Sequence, residues 1–308
     1  MVKNEFGKAF LAKLQNVIPV SRLLVKAPMS RYTTFKIGGP ADYLVLAASI
    51  NEVAVTLEAA KQYGIAVTVL GNGSNVLVTD KGIRGVVLKF GQDMGYIRHE
   101  ATTLTVGAGT LLADVSRYAA EKGLTGVEFV VGIPGSIGGA VFMNAGAYEG
   151  EMSHVVEAVA AVCPDGSLRQ FTRDELAFGY RHSIFQDNHC AICEVQLALH
   201  NGEQQSIHHK MGDYTNKRET KQPIEMPSAG STFKRPPGYF AGTLIEQAGL
   251  KGLKTGGAQV STKHAGFVIN AGGATARDVL ALIKEVQRRV YEETGVVLQP
   301  EVRVIGEE

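Results

Sequence analysis

The sequence predicts an α+β protein in which short, mostly antiparallel strands alternate with helices and glycine loops. Three observations support this prediction: a chain of 308 residues, 36 glycines that occur in clusters, and short apolar runs between helical patterns. A chain of this length has room for two or three modest domains. Clustered glycines mark backbone that turns sharply or lies close to a ligand.

The composition is that of an ordinary globular protein. The chain is 45% hydrophobic and 20% charged with a net charge of +1, which does not favour a general nucleic-acid or membrane-surface binder. No apolar run is long enough to span a bilayer, and the N-terminus lacks a signal-peptide core. Three cysteines are too few for a disulfide framework. We therefore expect a cytoplasmic protein with no nucleic-acid partner and no membrane insertion.

The first part of the chain reads as a helix followed by a β-α-β unit. Residues 4–17 predict an amphipathic helix, and residues 41–49 a strand. A helix then runs from Glu52 to Tyr63 and ends at Gly64, and residues 65–71 predict a short buried strand. The apolar face predicted for the first helix comprises Phe6, Phe10, Leu11, Leu14 and Val17.

From Gly71 onward short strands alternate with glycine loops, and a helix near 111–122 interrupts them. Pro164-Asp165-Gly166 predicts a hairpin, because Asp-Gly accommodates the turn dihedrals. The predicted strands cover 85–90, 103–109, 155–163, 167–172 and 191–200.

The last part begins with a polar helix near 203–218 and a short helix near 241–248. A long helix starts at Thr275, which could cap it with Asp278 three residues on, and ends at Gly295. Strands are predicted at 258–261, 265–270 and 296–306. The apolar stripe of the long helix comprises Val279, Leu282, Ile283, Val286 and Val290.

Two glycine-rich segments are candidate cofactor sites. Residues 69–78 form a strand, a turn and a second strand, and the turn could offer successive N–H groups to a diphosphate. Val76 stands where the Rossmann pattern needs glycine, so a plain hairpin turn remains an equal alternative. Residues 132–148 can bury little side-chain area, which favours a flat cofactor over a flexible loop. The shorter glycine pair at 107–109 is read as structural.

Other chemistries find little support. None of the glycine-flanked serines lies in the G-x-S-x-G pattern of a nucleophile elbow. Cys190 and Cys193 lie in an apolar strand, which predicts core packing rather than redox chemistry. His208 and His209 on the polar helix predict a solvated face, and no metal site is predicted.

Charged residues in apolar surroundings are the remaining candidates. Arg181 stands among apolar and aromatic residues, where an arginine normally meets a carboxylate or a phosphate. Glu301 and Arg303 lie two residues apart in a predicted buried strand, so they would share a face. A structural ion pair and a functional site are both open for them.

Six motifs span most of the chain; in chain order they are TTFKIGGPAD, LGNGSNVLV, GIPGSIGGAVFMNAGAY, YRHSIF, SAGSTFKRP and QPEVRVIG. Together they resemble the UDP-N-acetylenolpyruvoylglucosamine reductase family of bacterial peptidoglycan precursor synthesis. The resemblance implies a three-domain flavoenzyme: two domains form a vanillyl-alcohol-oxidase-like (PCMH-type) FAD-binding unit, and a C-terminal α+β domain binds substrate. The compact length is similar to the type II form.

The resemblance also implies domain limits. The first lobe of the FAD-binding unit would cover 1–68 and the second 69–208, followed by a substrate domain at 209–300 and a returning strand at 301–308. A monomer is expected.

The resemblance implies noncovalent FAD, NADPH as co-substrate, and UDP-N-acetylglucosamine enolpyruvate as substrate. Ser231 matches the proton donor, and Arg181 and Glu301 match residues that stabilise charge on the substrate carboxylate. Where some relatives have asparagine, this chain has Arg235. The predicted substrate contacts are Lys221, Arg235, Tyr180 and His264. The predicted FAD contacts are Gly71, Asn72, Gly73, Ser74, Asn75, Pro134, Ser136, Ile137, Gly139, Asn144 and Gly146.

The chemistry of the residues agrees with these roles. Hydride addition at C3 of an enolpyruvyl ether drives charge into the carboxylate, which a guanidinium and a protonated carboxylic acid can stabilise. A small serine hydroxyl can then protonate C2 as a general acid. Two alternatives are a flavin-dependent alcohol or sugar oxidase and a noncatalytic nucleotide-sugar sensor. The absence of histidine between Gly71 and Lys89 counts against a histidine-tethered oxidase, and the intact Arg181, Ser231 and Glu301 count against a sensor.

Overall fold

The structure is a computed structural model that describes residues 2–308, with side chains described from Gly7 onward. Phe6 of the predicted N-terminal face therefore lies outside the described side chains. The chain divides into two compact units, each built from separate segments. Unit 1 comprises Met1–Val25, Tyr43–Asn72 and Gly85–Asn216, and unit 2 comprises Lys26–Asp42, Gly73–Arg84 and Lys217–Glu308. The domain limits predicted at 68, 208 and 300 remain predictions.

The helices and strands predicted from the sequence occur in the predicted order, together with further elements that were not predicted, including a strand at Leu23–Pro28 and a helix at Ile137–Phe142. The α-helices are α1 Val2–Gln15, α2 Ile50–Gln62, α3 Leu112–Glu121, α4 Ile137–Phe142, α5 Phe185–Asn188, α6 Gln204–Lys221, α7 Ala241–Gln247 and α8 Ala276–Thr294. The strands are β1 Leu23–Pro28, β2 Pro40–Ala47, β3 Val67–Leu70, β4 Val76–Val78, β5 Ile83–Phe90, β6 Ile97–Glu100, β7 Thr103–Gly107, β8 Leu124–Thr125, β9 Gly146–Ala147, β10 Gly150–Glu151, β11 Val156–Val162, β12 Leu168–Thr172, β13 Ala191–Ala198, β14 His200–Asn201, β15 Lys254–Thr255, β16 Ala258–Val260, β17 Val268–Asn270 and β18 Arg303–Ile305.

A five-stranded antiparallel sheet of order β12-β11-β13-β7-β6 forms the centre of unit 1. The predicted hairpin at 164–166 joins β11 to β12, and Gly166 adopts φ +86° there. Cys190 and Cys193 are 7% and 0% exposed, which confirms their predicted core packing.

A four-stranded sheet of order β1-β2-β5-β3 contains both strands of the predicted β-α-β unit. β5 is inserted between the two strands that flank α2, and it pairs in parallel with β3. β3 therefore lies at the sheet edge, where Val69 is 41% exposed. The prediction that 65–71 is a buried strand is wrong for this reason.

The helix predictions are confirmed with local corrections. Phe10 and Leu14 of α1 are fully buried, but Val17 is 39% exposed because the helix ends at Gln15. In α8, Thr275 and Asp278 form the predicted capping box, and Gly295 ends the helix at φ +71°. All the residues of its predicted apolar stripe are buried.

In unit 2, β15, β16 and β17 form an antiparallel sheet. A two-stranded parallel sheet pairs β18 with β4. The predicted closing strand at 296–306 is present only at 303–305, so Glu301 precedes it rather than lying in it. Val304 is 41% exposed, so the expectation of a charged pair on an otherwise buried strand is wrong. Nowhere in the described chain is a helix long and apolar enough to cross a membrane.

Candidate active site

The turn at 71–75 connects β3 to β4, and these strands belong to different sheets. The segment 69–78 is therefore not a β-hairpin, and the hairpin alternative predicted for it is wrong. Gly73 adopts φ +67°, and a Cβ at this position would lie 2.4 Å from the Tyr32 carbonyl oxygen. The Thr34 N–H donates to the Gly73 carbonyl at 3.1 Å. These contacts require glycine and fix the course of the turn.

Two contacts in unit 1 tie the start of this turn to the second glycine-rich segment. The Asn72 side-chain Nδ2 donates to the Pro134 carbonyl at 2.7 Å. A Cβ at Gly71 would lie 2.5 Å from Ser136 Oγ, so the bare glycine backbone lies against that hydroxyl. Ser136 is 2% exposed, and its Oγ has no hydrogen-bond partner within the part of the chain that is described. A buried hydroxyl without a partner fits a ligand that brings its own acceptor, such as a phosphate.

The segment 132–148 is a packed helix and turn rather than a flexible loop. Within α4, a Cβ at Gly138 would lie 2.9 Å from Ala108 Cβ, so glycine allows α4 to pack closely on the 107–109 segment. Asn144 follows at φ +41° and is 1% exposed. Its Nδ2 donates to Glu151 Oε1 at 3.2 Å and to the Gly179 carbonyl at 3.0 Å. Because both amide protons are used, a cofactor contact of Asn144 would have to come from other atoms.

Arg181 lies next to this segment. It adopts φ +55°, and its Nη2 donates to the Gly146 carbonyl at 3.3 Å. Its guanidinium carbon lies 5.1 Å from the ring centroid of Tyr180, which is 57% exposed. The pKa of Glu151 is held below its usual range chiefly by the hydrogen bond from Ser153, with a smaller contribution from the Arg181 charge. Unit 1 thus brings the predicted carboxylate-binding arginine to the predicted cofactor segment.

In unit 2, Ser231 is an exposed residue that follows the half-buried Gly230 and precedes the buried Thr232. Gly230 precedes it at φ +74°, where a residue with a side chain would be strained. Thr232 anchors the other side: its N–H donates to the Gly266 carbonyl at 2.9 Å, and its Oγ1 accepts from the Val268 N–H at 2.9 Å. The Ser231 hydroxyl is therefore held on a fixed backbone.

Glu301 lies on the segment that pairs with the serine motif. Its N–H donates to the Thr232 carbonyl at 2.8 Å. Asn75 Nδ2 donates to the Glu301 carbonyl at 3.4 Å, and the Asn75 carbonyl accepts from the Arg303 N–H at 3.0 Å. Unit 2 thus joins the predicted proton donor, the predicted acid and one predicted FAD contact in one network.

His264 belongs to the same neighbourhood. Its Nδ1 accepts from the Gly266 N–H at 3.1 Å, and Gly266 in turn accepts from Thr232. Burial lowers the pKa of His264 below its usual value, which favours the neutral ring. Because Nδ1 is an acceptor, the neutral ring carries its proton on Nε2 and can donate it to a ligand.

Lys221, predicted to contact the substrate diphosphate, and Arg235, predicted to contact a phosphate or a carboxylate, are both exposed, at different places in unit 2. Lys221 is in the last turn of α6. The Arg235 guanidinium carbon lies 4.1 Å from the centroid of the Phe240 ring. This stacking orients Arg235 more firmly than a freely solvated side chain would be.

Each unit contains some of the predicted site residues. The described residues contain no group of three or more His, Cys, Asp or Glu side chains that could hold a metal ion. The sequence predictions missed Lys89, a cation inside the apolar run GVVLKF whose Nζ lies 2.7 Å from the Gly71 carbonyl oxygen.

The predicted site residues in unit 1 are Gly71, Asn72, Pro134, Ser136, Ile137, Gly139, Asn144, Gly146, Tyr180 and Arg181. Unit 2 contains Gly73, Ser74, Asn75, Lys221, Ser231, Arg235, His264 and Glu301.

Two protein families match this chain. Residues 222–305 match the family described as "UDP-N-acetylenolpyruvoylglucosamine reductase, C-terminal domain". Residues 41–172 match the family described as "FAD binding domain".

Individual proteins match over most of the chain. A UDP-N-acetylenolpyruvoylglucosamine reductase of Clostridium perfringens is 51% identical over 92% of this chain and 93% of its own. The crystal structure of the UDP-N-acetylenolpyruvylglucosamine reductase of Thermus caldophilus aligns with a TM-score of 0.79 and 38% identity, covering 92% of this chain and 97% of that one.

A more distant structure shares the fold. p-Cresol methylhydroxylase aligns with a TM-score of 0.58 and 11% identity, covering 94% of this chain and 88% of that one. Together with the family matches, this similarity confirms the predicted α+β fold class with a PCMH-type FAD-binding unit. The identity to the Clostridium perfringens reductase over nearly the full length confirms the predicted family. The chain therefore belongs to the UDP-N-acetylenolpyruvoylglucosamine reductase family and is an FAD-containing oxidoreductase.

Proposed function

We propose that this chain reduces UDP-N-acetylglucosamine enolpyruvate to UDP-N-acetylmuramate with NADPH, as a step of peptidoglycan precursor synthesis. Relatives named as reductases of this substrate, at 46% to 51% identity, support the reaction. The observation on which the proposed mechanism depends is the 2.8 Å hydrogen bond from the Glu301 N–H to the Thr232 carbonyl. It places Glu301 on the strand-like segment beside Ser231.

FAD would be held noncovalently by the two glycine-rich segments. When bound, the flavin supplies the hydride, accepted from NADPH and delivered through N5. Ser136 and the turn that begins at Gly71 would bind its phosphates, because the Ser136 hydroxyl is buried without a partner in the described chain. The remaining predicted contacts are Asn72, Gly73, Ser74, Asn75, Pro134, Ile137, Gly139, Asn144 and Gly146.

Arg181 and Glu301 would stabilise negative charge on the substrate carboxylate. Hydride addition at C3 moves electron density through C2 into the carboxylate, so the reaction needs donors aimed at those oxygens. The Arg181 guanidinium can give two parallel hydrogen bonds.

Ser231 would protonate C2. Its hydroxyl is exposed on a backbone fixed by Gly230 and Thr232, so it can approach a carbon atom without moving the main chain. A hydroxyl is acidic enough to protonate a carbanionic carbon, and no covalent intermediate is needed.

Four side chains would bind the rest of the substrate. Lys221 and Arg235 carry the positive charge that a diphosphate requires. His264 can donate from Nε2, and Tyr180 offers an exposed ring and hydroxyl next to Arg181. NADPH would leave before the sugar nucleotide binds.

Anaerobic half-reactions test the proposal. NADPH should bleach the flavin absorbance of the purified holoprotein, and UDP-N-acetylglucosamine enolpyruvate should restore it with formation of UDP-N-acetylmuramate. Reoxidation by oxygen but not by this substrate would indicate an oxidase and contradict the proposal. Binding of the substrate with no flavin turnover would indicate a sensor.

A further inference from the structure

Lys89 is a cation inside an apolar strand of unit 1. It lies on β5 between Leu88 and Phe90, which are 0% and 4% exposed, and is itself half-buried. Burial lowers the pKa of its ammonium group. None of the roles proposed above uses this residue.

The acceptors of Lys89 are main-chain carbonyls. Nζ donates to the Gly71 carbonyl at 2.7 Å and to the Phe90 carbonyl at 3.4 Å. Across the described residues, no carboxylate forms an ion pair with it. The ammonium is thus partly desolvated while its charge is not neutralised, an arrangement that costs stability unless a ligand compensates it.

The carbonyl that Lys89 binds belongs to the residue that packs on Ser136. Gly71 contacts the Lys89 ammonium through its carbonyl and the partnerless Ser136 hydroxyl through its α carbon. A cation without a counter-charge and a buried donor without an acceptor therefore meet at one glycine. A phosphate group would supply both the negative charge and the acceptor.

We propose that Lys89 supplies the positive charge for the diphosphate of bound FAD at the turn that begins at Gly71. The predicted FAD contacts are all uncharged residues, whereas a diphosphate is anionic, so the set lacks the counter-charge that Lys89 provides. The inference depends on the proposed FAD site at Gly71 and Ser136, but not on the identity of the sugar nucleotide.

Three substitutions separate a charge role from a structural one. Lys89→Gln keeps an N–H donor for the Gly71 carbonyl but removes the charge, Lys89→Met removes both, and Lys89→Arg keeps both. Lys61→Met is the matched control, because Lys61 is an exposed lysine of α2 in the same unit. FAD is titrated into each apoprotein and binding is followed by flavin fluorescence, at low and high NaCl concentration.

We expect Lys89→Gln and Lys89→Met to raise the Kd of FAD by about tenfold or more, with Lys89→Arg and Lys61→Met near the wild type. The Kd of the neutral variants should also depend less on salt. The melting temperature of the apoprotein should stay level or rise in Lys89→Gln, because an uncompensated charge is removed.

Two results would overturn the proposal. The first is a Kd of FAD in Lys89→Gln equal to that of the wild type. The second is that Lys89→Gln lowers the melting temperature of the apoprotein as much as that of the holoprotein. Neither readout involves the sugar nucleotide or turnover, so both stand apart from failure of the proposed reductase reaction. If FAD binding is lost in Lys89→Gln while Ser136→Ala leaves it unchanged, the charge role holds and the placement of the phosphate at Ser136 is wrong.

Discussion

The Glu301 N–H donates to the Thr232 carbonyl at 2.8 Å, which fixes two distant segments of the chain against each other beside Ser231. Phe233 and Pro300 form a further bridge along the same pair of segments. The main-chain hydrogen bonds between these segments, together with the contacts of Thr232 Oγ1 and Asn75 Nδ2, therefore fix the backbone that carries Ser231 and Glu301. None of these hydrogen bonds uses the Ser231 side chain, so Ser231 can be substituted without moving the backbone.

Ser231→Ala should separate the two half-reactions. We expect reduction of the flavin by NADPH to be nearly unchanged, and reoxidation by the enolpyruvyl substrate to slow by about 10²–10⁴-fold, because only the second step needs a general acid. Stopped-flow absorbance of the flavin measures both rates. Ser228→Ala, in the same motif, is the control and should keep both rates. An equal loss in both half-reactions of Ser231→Ala would contradict the proton-donor role.

Asn144→Asp should weaken unit 1. The Asn144 amide donates to Glu151 Oε1 and to the Gly179 carbonyl, so an aspartate would remove both donors and put a second carboxylate against Glu151. Because the side chain is buried, we expect a loss of about 3 kcal/mol in the free energy of unfolding. Urea denaturation measures this loss, and the ratio of flavin to protein absorbance reports the retained FAD.

The control for this substitution is Asn188→Asp. Asn188 Oδ1 accepts from the Cys190 N–H at 2.9 Å, and a carboxylate oxygen can accept the same hydrogen bond. This variant should therefore stay close to wild-type stability. A similar loss in both variants would show that the amide donors of Asn144 do not determine its importance.

Local signals explain which parts of the fold could be predicted from the sequence. The limits of α8 depend on Thr275, Asp278 and Gly295, and all the information for its cap, apolar stripe and end lies within one segment. The pairing of β18 with β4 joins Arg303 to Val76. No periodicity or turn residue encodes a partner that far away in the chain, so the closing strand was predicted too long and too buried.

The candidate site divides in the same way, into residues that local sequence motifs identify and a residue that only the fold identifies. The residues of the proposed mechanism were identified through motifs that resemble a family, whereas Lys89 carries no motif. Its signal was a single cation between buried Leu88 and Phe90. The apolar run predicts an ordinary strand, whereas the contact of Lys89 with the Gly71 carbonyl depends on the pairing of β5 with β3.

Thr275→Ala should destabilise unit 2 through the end of α8. The Thr275 side chain accepts from the Asp278 N–H at 3.1 Å, and the Asp278 carboxylate accepts from the Thr275 N–H at 3.0 Å. Losing the cap should cost about 1 kcal/mol, whereas Thr275→Ser should keep most of it. Thermal unfolding of the three proteins measures the difference. Equal melting temperatures for the alanine and serine variants would contradict the capping contribution.

The pH dependence of stability should contain a contribution from His264. Burial lowers its pKa in the folded protein below the ordinary value of 6.5, so the unfolded chain takes up a proton more readily than the folded protein does. The contribution of this group to the free energy of unfolding should therefore be constant well above pH 6.5 and should fall as the pH drops through that value.

His264→Asn keeps an acceptor for the Gly266 N–H but cannot titrate in this range. The difference in melting temperature between about pH 7.5 and about pH 5.5 should be smaller in His264→Asn than in the wild type. His208→Asn, on the exposed face of α6, is the control and should leave that difference unchanged. If His264→Asn loses as much stability on acidification as the wild type does, the buried neutral ring is not a source of acid sensitivity.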